Sequence, residues 1–395
     1  MESAIQALQA LMRGPGMVTI RRHLDSRRII ADALAIQQIP APTFHEQQRA
    51  EFIRDRFARY PLQDVEMDDV HNVYGRWPGA EPTRPALMIS AHTDTVFPAD
   101  TDLTPRHEPD RIFGPGLGDN SLGVAALLAL LDTFHRHDLR PARDVWLVAN
   151  SREEGLGDLG GMRQVWQRLG PRLGAAIVIE GMALGRVYHA AVAVRRLRIT
   201  CRAPGGHSWL HFGRPSAIHG LIELGAQIIA LKPPGHPRTT YNIGLISGGH
   251  SVNSLAPCAE MVLDLRSEEP DRLAELEAQV LSAMDSLRCP TLDFASEVVG
   301  NRPAGRISVD HPLVQLAAAT LDLLGFKPAY EIGSTDANAL LANGLPTVAV
   351  GISYGGHAHR VDEFIEIGPI AEGVWQLILL TLAAAERLHQ WRGTP

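Results

Sequence analysis

Five short segments of the sequence carry histidine or carboxylate side chains where an apolar run ends or a helical pattern begins. The side chains concerned are His92 and Asp94, Asp119, Glu153 and Glu154, Glu180, and His357 and His359. Each segment alone has an ordinary interpretation: a capped turn, a helix N-cap at Asn120 or Ser121, a solvated acidic loop or a surface histidine. Because the carboxyl ends of parallel strands meet at one edge of a sheet, the five together predict a shared site.

The glycine-rich segment at residues 114–121 invites comparison with dinucleotide-binding loops, since glycines before a helix can cradle a pyrophosphate. The position that needs the third glycine holds Asp119 instead, which puts a negative charge where phosphate would lie. A carboxylate at such a helix start favours a cation. This segment therefore points to a metal ion.

The donor types in these segments suit paired divalent cations. Two histidines and three carboxylates are ligands for Zn²⁺, with Mn²⁺ or Co²⁺ as substitutes. If Asp119 bridges two ions, each ion receives one histidine, one terminal carboxylate and a share of Asp119. Three carboxylates and one hydroxide then balance the charge of two Zn²⁺. Glu153 remains outside the ligand set, as a general base requires.

The elements that must position these residues form an alternating pattern. Apolar runs at residues 86–90, 145–148, 175–179 and 347–350 come shortly before His92, Asn150, Glu180 and Gly351, and helical stretches such as 121–137 lie between them. Strands alternating with helices predict an α/β fold, with a mostly parallel sheet and helices on both faces. Residues 18–60 have helical spacing interrupted at 39–42, and Thr43 is predicted to cap a helix that runs through Glu46 and Phe57.

The middle of the chain has a different pattern. Residues 192–200 alternate as a half-solvated strand does, strands follow at 243–247, at 259–266 and near Thr291, and helices at 217–231 and 271–287. This order predicts a small α+β sandwich. Residues 190–301 are therefore predicted to be a domain inserted into a catalytic domain formed by residues 1–189 and 302–395.

Composition excludes several classes of protein. The 395 residues include 37 Lys and Arg against 44 Asp and Glu, a net charge of −7, which argues against nucleic-acid and anionic-membrane partners. The three cysteines are far apart and form no CxxC pair, so neither a disulfide framework nor a cysteine zinc site is expected. The amino terminus lacks a signal-peptide pattern and no run of 18 uncharged apolar residues occurs, so the default prediction is a cytoplasmic protein.

The same motifs, taken in order, resemble a known family. SAHTDTVFP, GPGLGDNS, SREEGLGD, IEGM and GGHAHRVDE resemble the M20 family of co-catalytic zinc peptidases and deacylases. Within the inserted domain, residues 205–208, 248–253 and 263–266 are similar to the family's lid, which is also its dimerisation domain. The resemblance extends from about residue 18 to the end of the chain.

The resemblance implies a role for each residue of the predicted site. It makes Asp119 the ligand that bridges two Zn²⁺ per subunit, with His92 and Glu180 on one ion and Glu154 and His359 on the other. Glu153 resembles the general base that deprotonates the bridging water and later protonates the leaving amine, and Asp94 would orient His92. A cis peptide between Asp119 and Asn120 is implied as well. His359 is preferred to His357 because of its spacing from the following Asp362 and Glu363.

The resemblance also implies how substrate is bound. His207 resembles a histidine that crosses a dimer interface to polarise the scissile carbonyl. Asn253 and Arg266 resemble a clamp for the substrate carboxylate. Ser334 and Thr335 resemble a substrate loop. A homodimeric hydrolase of short peptides is the leading prediction. An N-acyl amino acid deacylase with the same site is the alternative. A binding or scaffold protein without catalysis is disfavoured because the base and all five ligands are present.

Overall fold

The computed structural model describes residues 2–81, 85–388 and 391, and the chain divides into two units. Unit 1 comprises Met1–Ala191 and Gly305–Pro395, and unit 2 comprises Val192–Ala304. The limits predicted for the inserted domain, 190 and 301, differ from those of unit 2 by two and three residues. Unit 1 contains all five segments with candidate metal ligands.

A nine-stranded sheet forms the centre of unit 1. Its strands, numbered along the whole chain, are β1 (Gln63–Met67), β2 (Val73–Trp77), β3 (Ala86–His92), β6 (Val145–Asn150), β7 (Leu173–Glu180), β8 (Arg186–Ala191), β15 (Gly305–Arg306), β16 (Ala329–Gly333) and β17 (Thr347–Gly351). The order is β1-β2-β6-β3-β7-β17-β8-β15, with β16 also paired to β8. Strands β6, β3, β7 and β17 run parallel, and antiparallel strands extend the sheet on both sides.

The central strands are mostly apolar, as expected where helices cover both faces of a sheet. Strands β3, β6 and β17 are buried at every residue. The helices of unit 1 are α1 (Glu2–Met12), α2 (Met17–Arg22), α3 (Ser26–Gln37), α4 (Gln47–Phe57), α5 (Leu122–Arg136), α6 (Gly160–Leu169), α9 (Pro312–Leu323), α10 (Ala337–Leu341) and α11 (Ile370–Arg387). Helices α5, α9 and α11 contact the sheet, and α11 also contacts the other two, while α4, α6 and α10 contact the sheet elsewhere. The predicted α/β class is confirmed.

Helix α5, with the turn that precedes it, is the one stretch in the described ranges that is long and apolar enough to cross a membrane. Of the most apolar window in Leu117–Arg136, 83% is buried inside the protein. This stretch packs as the central helix of the unit 1 core.

Two predicted helix starts are wrong in detail. Helix α4 begins at Gln47 rather than at a cap formed by Thr43, and the Thr43 hydroxyl donates instead to Asp94 Oδ2 at 2.8 Å. Helix α5 begins after a wide turn at Leu117–Ser121, and the Ser121 hydroxyl donates back to the Gly116 carbonyl rather than capping the helix. At Thr43 a contact with the candidate site has replaced the local cap, and at Ser121 a contact within the preceding turn has done so.

A small antiparallel sheet in unit 1 holds the last of the candidate segments. Its strands are β4 (Arg106–His107), β5 (Arg111–Phe113), β18 (Gly355–Gly356) and β19 (Phe364–Glu366), in the order β18-β19-β5-β4. Residues 357–363 form the loop between β18 and β19. The sheet therefore ties that loop to β5, which lies directly before the glycine-rich turn.

Unit 2 has its own core between a sheet and two helices. Its elements are β9 (Ala193–Arg202), β10 (Gly206–His207), α7 (Ala217–Ala230), β11 (Thr239–Gly248), β12 (Ser254–Leu255), β13 (Cys258–Ser267), α8 (Pro270–Ser286) and β14 (Asp293–Arg302). The antiparallel order is β11-β13-β9-β14, and both helices contact β9 and β13. Leu197, Ile199 and Cys201 alternate along β9 into this core. The predicted α+β sandwich is confirmed, although its last strand begins at Asp293.

Candidate metal centre

The predicted metal ligands of unit 1 come together in two overlapping groups. One group is His92, Asp119 and Glu180, and the other is Asp119, Glu154 and His359. Within each group the candidate ligand atoms all lie within 4.8 Å of one another. Asp119 belongs to both groups: its Oδ1 is 3.0 Å from His92 Nε2 and its Oδ2 is 3.3 Å from His359 Nε2. Each carboxylate oxygen therefore faces a different histidine.

His92 and Asp94 lie at the carboxyl end of β3. The His92 ring contacts the Asp94 backbone carbonyl through Nδ1 at 3.1 Å, and the carboxylate is more distant at 3.6 Å. The Asp94 carboxylate instead accepts hydrogen bonds from the backbone amides of Glu153 and Glu154, both at 2.9 Å. Asp94 thus fixes the loop after β6 as well as the ring that the sequence predicts it to orient.

The turn before α5 presents Asp119 through a set of buried contacts. The Asp119–Asn120 peptide is cis, as the family resemblance implies. The Asn120 side chain donates to the Ile179 carbonyl and accepts from the Gly181 amide, at 2.7 and 3.0 Å. These two bonds fasten the turn to the end of β7, where Glu180 lies. A helix cap at Asn120, the alternative interpretation, is not what this side chain forms.

Burial and mutual repulsion shift the ionisation of the clustered carboxylates. Burial and the charge of Asp119 raise the pKa of Glu154 to about 7. Burial likewise raises the pKa of Glu180, although His92 opposes the shift. Hydrogen bonds that the His359 ring donates to Asp119 and Glu154 raise its pKa to about 10. For Asp119, burial is outweighed by the two histidines, so its pKa is lowered.

These shifts test whether the residues fit a metal. Carboxylates that are buried together destabilise one another in the charged form, and cations relieve that repulsion. Three carboxylates and two imidazoles, arranged around a shared aspartate, are also a donor set that divalent transition metals accept. The residues present therefore fit two divalent cations.

Glu153 lies beside the cluster without belonging to either of the two groups that share Asp119. Its side chain is buried, and a third group of candidate ligand atoms within 4.8 Å of one another comprises His92, Glu153 and Glu154. Because its backbone amide is held by Asp94, the loop that carries it is fixed. Glu153 is thus placed next to both halves of the cluster.

The two histidines of the last segment occupy different surroundings. His359 Nε2 contacts Glu154 Oε1 at 3.1 Å as well as Asp119. His357 Nδ1 pairs with Asp362 Oδ2 at 3.0 Å and its ring packs edge-on against Phe364. The structure brings His359, and not His357, to the candidate ligands.

Three buried residues near the cluster were not predicted from the sequence. Asn150, at the end of β6, donates to Asp336 Oδ2 at 2.7 Å, and both residues are fully buried. Burial and the charge of Glu153 raise the pKa of Asp336 to about 7. Glu363 is a third such residue, because it accepts from the amides of Gly118 and Asp119. Asn150 and Glu363 could have been found from the sequence, because both lie within the candidate segments.

The predicted substrate loop borders the cluster. Ser334 and Thr335 line a cleft of about 470 Å³ that Asp119 and Glu180 also line. The loop is held from within, since the Thr335 amide donates to Asn338 Oδ1 and the Ala337 amide donates to Thr335 Oγ1. A substrate in this cleft would touch both the loop and the candidate ligands.

The remaining predicted residues belong to unit 2. His207 is exposed, and its Nδ1 accepts a hydrogen bond from the Trp209 amide at 3.2 Å. Asn253 lies in the loop before β12, which pairs with β10, so it is close to His207 in the fold. Arg266 contacts Asp264 at 2.6 Å. Each of these side chains has local partners within unit 2.

Comparison with known proteins agrees with these features. A family model described as Peptidase family M20/M25/M40 matches residues 88–381. A succinyl-diaminopimelate desuccinylase of Corynebacterium glutamicum is 25% identical over 87% of this chain and 94% of its own length. An acetylornithine deacetylase of Yersinia pseudotuberculosis is 27% identical over 74% of this chain and 78% of its own. The solved structure of a tripeptidase from Staphylococcus aureus has the same fold, with a TM-score of 0.74, 20% identity, and coverage of 92% of this chain and 99% of that one.

Proposed function

Since the chain belongs to peptidase family M20/M25/M40, whose members are metal-dependent hydrolases, we propose that it is a dinuclear zinc hydrolase that cleaves the amide bond of short peptides. The observation that carries this proposal is the position of Asp119, whose two oxygens face His92 and His359. One carboxylate shared between two histidines is what a pair of bridged cations requires.

We assign the ligands accordingly. His92 and Glu180 would hold one Zn²⁺, Glu154 and His359 the other, and Asp119 both, with Mn²⁺ or Co²⁺ as substitutes. When bound, such cations supply Lewis acidity, which acidifies water and polarises a carbonyl oxygen. Elemental analysis of the purified protein tests the identity and number of the ions: two per chain is the expected result, and none after growth in zinc-supplemented medium would refute the assignment.

In this proposal Glu153 moves the proton. Its carboxylate accepts a proton from water as the water oxygen bonds to the scissile carbonyl carbon. It then donates that proton to the nitrogen as the carbon–nitrogen bond breaks. Its position beside His92 and Glu154, outside the two groups that share Asp119, supports this role, because a base must reach the water without being occupied as a ligand. Asp94 would hold Glu153 in place through the backbone amide.

The residues of unit 2 would act on the substrate from a homodimer. His207 of a second copy would donate to the carbonyl oxygen as it gains negative charge, with Asn253 and Arg266 binding the substrate carboxylate. Ser334 and Thr335 would bind the substrate within unit 1. The support is that His207 is exposed next to three strongly exposed apolar side chains, Trp209 at 83%, Leu210 at 73% and Phe212 at 91%.

Complementation between inactive variants tests the role of the second copy. His207→Ala should be folded and metallated but lower kcat by about 10²- to 10³-fold, the effect of losing one oxyanion donor. Mixed with Glu153→Ala, it should regain part of the activity, because one site of the heterodimer has an intact base and an intact His207. Differently tagged chains establish that subunits exchange. Confirmed heterodimers with no activity above that of the parents would show that His207 does not act between copies.

An N-acyl amino acid deacylase is the second candidate, and the names of the two curated relatives favour it. The same ligands and the same base would cleave an N-acyl bond. Assay of the zinc-loaded protein against tripeptides, dipeptides and N-acetyl amino acids separates the two functions. A kcat/KM at least tenfold higher for tripeptides supports the first, and the reverse ratio supports the second. No hydrolysis of any member by fully metallated protein would refute both.

A further inference from the structure

The cleft beside the metal centre has a second polar region, which begins at Arg186, shortly after Glu180 in the sequence. Besides Asp119, Glu180 and the substrate loop, it is lined by Arg186 and Tyr188 of β8. Its volume of about 470 Å³ lies within the range of small-molecule sites and exceeds what water and a scissile bond require. The cleft therefore has room for a further group of the substrate.

The Arg186 side chain is held on this wall by its neighbours. Its Nη1 donates to the Tyr188 hydroxyl at 3.4 Å. The Tyr188 ring packs against Gly333, where an added Cβ would lie 2.6 Å from Tyr188 Cδ1, so Gly333 is required for this contact. Strand β16 pairs in parallel with β8 through the same residues, which places the substrate loop directly after the contact. Arg186, Tyr188 and Ser334 thus belong to one wall.

The charge of Arg186 is not neutralised by a direct partner. In the described residues no carboxylate lies within 4.0 Å of its guanidinium, whereas Arg28, Arg76 and Arg360 of the same unit each form such a pair. The pKa of Arg186 is raised first by the Tyr188 hydroxyl and more weakly by the charge of Glu331 on the adjacent strand. Bound cations would neutralise the negative charge of the carboxylate ligands. The charge of Arg186 would then make its end of the cleft positive.

We propose that Arg186 is a specificity residue that binds an anionic group of the substrate, a carboxylate carried by the acyl chain or by an acidic side chain. The inference rests on the proposed hydrolase function and adds the class of substrate to it. Arginine presents several donors in a plane that matches a carboxylate, and hydrogen bonds between charged groups are stronger than neutral ones. Substrates that have a carboxylate at the reach of Arg186 should therefore be preferred to their uncharged analogues.

A binding experiment tests this without relying on turnover. The zinc-loaded protein is titrated calorimetrically with the dicarboxylates from malonate to adipate and with the monoamide of each. One carboxylate can reach the metal centre while the second group reaches Arg186. We expect at least one dicarboxylate to bind about 10- to 100-fold more tightly than its monoamide, the range for a hydrogen bond to a charged group.

Variants assign that preference to Arg186. Arg186→Ala should bring the ratio of the two dissociation constants close to one, and Arg186→Lys should retain part of it. Arg172→Ala removes the same charge from an exposed position outside the cleft and should leave the ratio unchanged. Glu331→Gln should keep or increase the ratio, because it removes the opposing charge. A wild-type ratio near one for every length, or a ratio that Arg186→Ala leaves intact, would overturn the proposal.

Hydrolysis then distinguishes failure of this proposal from failure of the function. The substrates are Asp-Ala against Asn-Ala, Ala-Asp against Ala-Asn, and N-acyl alanines whose acyl chain ends in a carboxylate or an amide. If wild type and Arg186→Ala cleave the two members of every pair with the same kcat/KM ratio, the specificity role is wrong and the hydrolase stands. If nothing is cleaved, the hydrolase is wrong, and the calorimetric ratio still decides whether Arg186 binds anions.

Discussion

Replacing Glu153 by Gln should separate proton transfer from metal binding, because its neighbour Glu154 provides a matched control. The two residues are adjacent, both buried and both held through their backbone amides by Asp94. Glutamine has nearly the same shape as glutamate, so neither substitution opens a cavity or removes a backbone contact. Only the charge and the proton-accepting oxygen change.

The magnitudes follow from the positions of the two side chains. Loss of a general base lowers kcat by about 10²- to 10⁴-fold, which corresponds to about 3–5 kcal/mol of transition-state stabilisation. Glu153→Gln should show this loss with two metal ions still bound. Glu154 contacts His359 at 3.1 Å and shares a candidate ligand group with Asp119. Replacing a residue that only hydrogen-bonds a metal ligand lowers metal affinity by about 10- to 100-fold. Glu154→Gln changes a proposed ligand itself, so it should lower metal affinity by more than that.

Metal content after dialysis and steady-state kinetics at saturating zinc check both variants. Added zinc should restore part of the activity of Glu154→Gln and none of that of Glu153→Gln. If Glu153→Gln loses metal while Glu154→Gln keeps both ions and full activity, the roles of the pair are reversed. If both variants keep metal and activity, the reasoning that places the reaction at this cluster is wrong.

The thiols, one close helix contact and the metal ions each give a further prediction. Iodoacetamide at pH 8 should label Cys289 before Cys201, because a hydrogen bond with Thr291 lowers the pKa of exposed Cys289 and burial raises that of Cys201 to about 11; equal labelling rates in the native protein would contradict this. Gly373→Ala should destabilise the protein by at least about 1–3 kcal/mol, since its Cβ would overlap the Ile352 carbonyl, while Gly368→Ala, with open space around it, should leave the thermal midpoint unchanged. A chelator should lower the thermal midpoint and added zinc should restore it. Zinc at a 1,000-fold excess over Kd should raise the free energy of unfolding by about 4 kcal/mol, and an unchanged midpoint in demetallated protein would argue against a structural metal pair.

The cluster of candidate ligands was predictable because each of its residues belongs to a local pattern. His92 and Glu180 end apolar strands, and Asp119 follows glycines before a helix. Contacts between distant segments leave no such local trace. Asn150 and Asp336 are 186 residues apart, and only the fold reveals that they are bonded.

The same distinction explains the errors in the fold. Strands at the sheet centre contain apolar runs from which they were predicted, whereas β1 (QDVEM) is half-exposed and has no apolar run. Thr43 has the residue type and position of a helix cap, but its hydroxyl bonds to Asp94, 51 residues away. Helix-capping rules weigh only neighbours in sequence, and here a buried carboxylate offers the hydroxyl a better acceptor.

The place of β17 in the central sheet has a consequence for biosynthesis. It lies between β7 and β8, yet the ribosome delivers it only after both strands and the whole of unit 2. At about 5–20 residues per second, the segment from residue 191 to residue 347 takes about 8–30 s to synthesise. Unit 2 has its own core and can fold during that interval, while β7 keeps an unpaired edge that other nascent chains can occupy. Production of this enzyme should therefore depend on protection of that edge until β17, at the start of the last eighth of the chain, emerges.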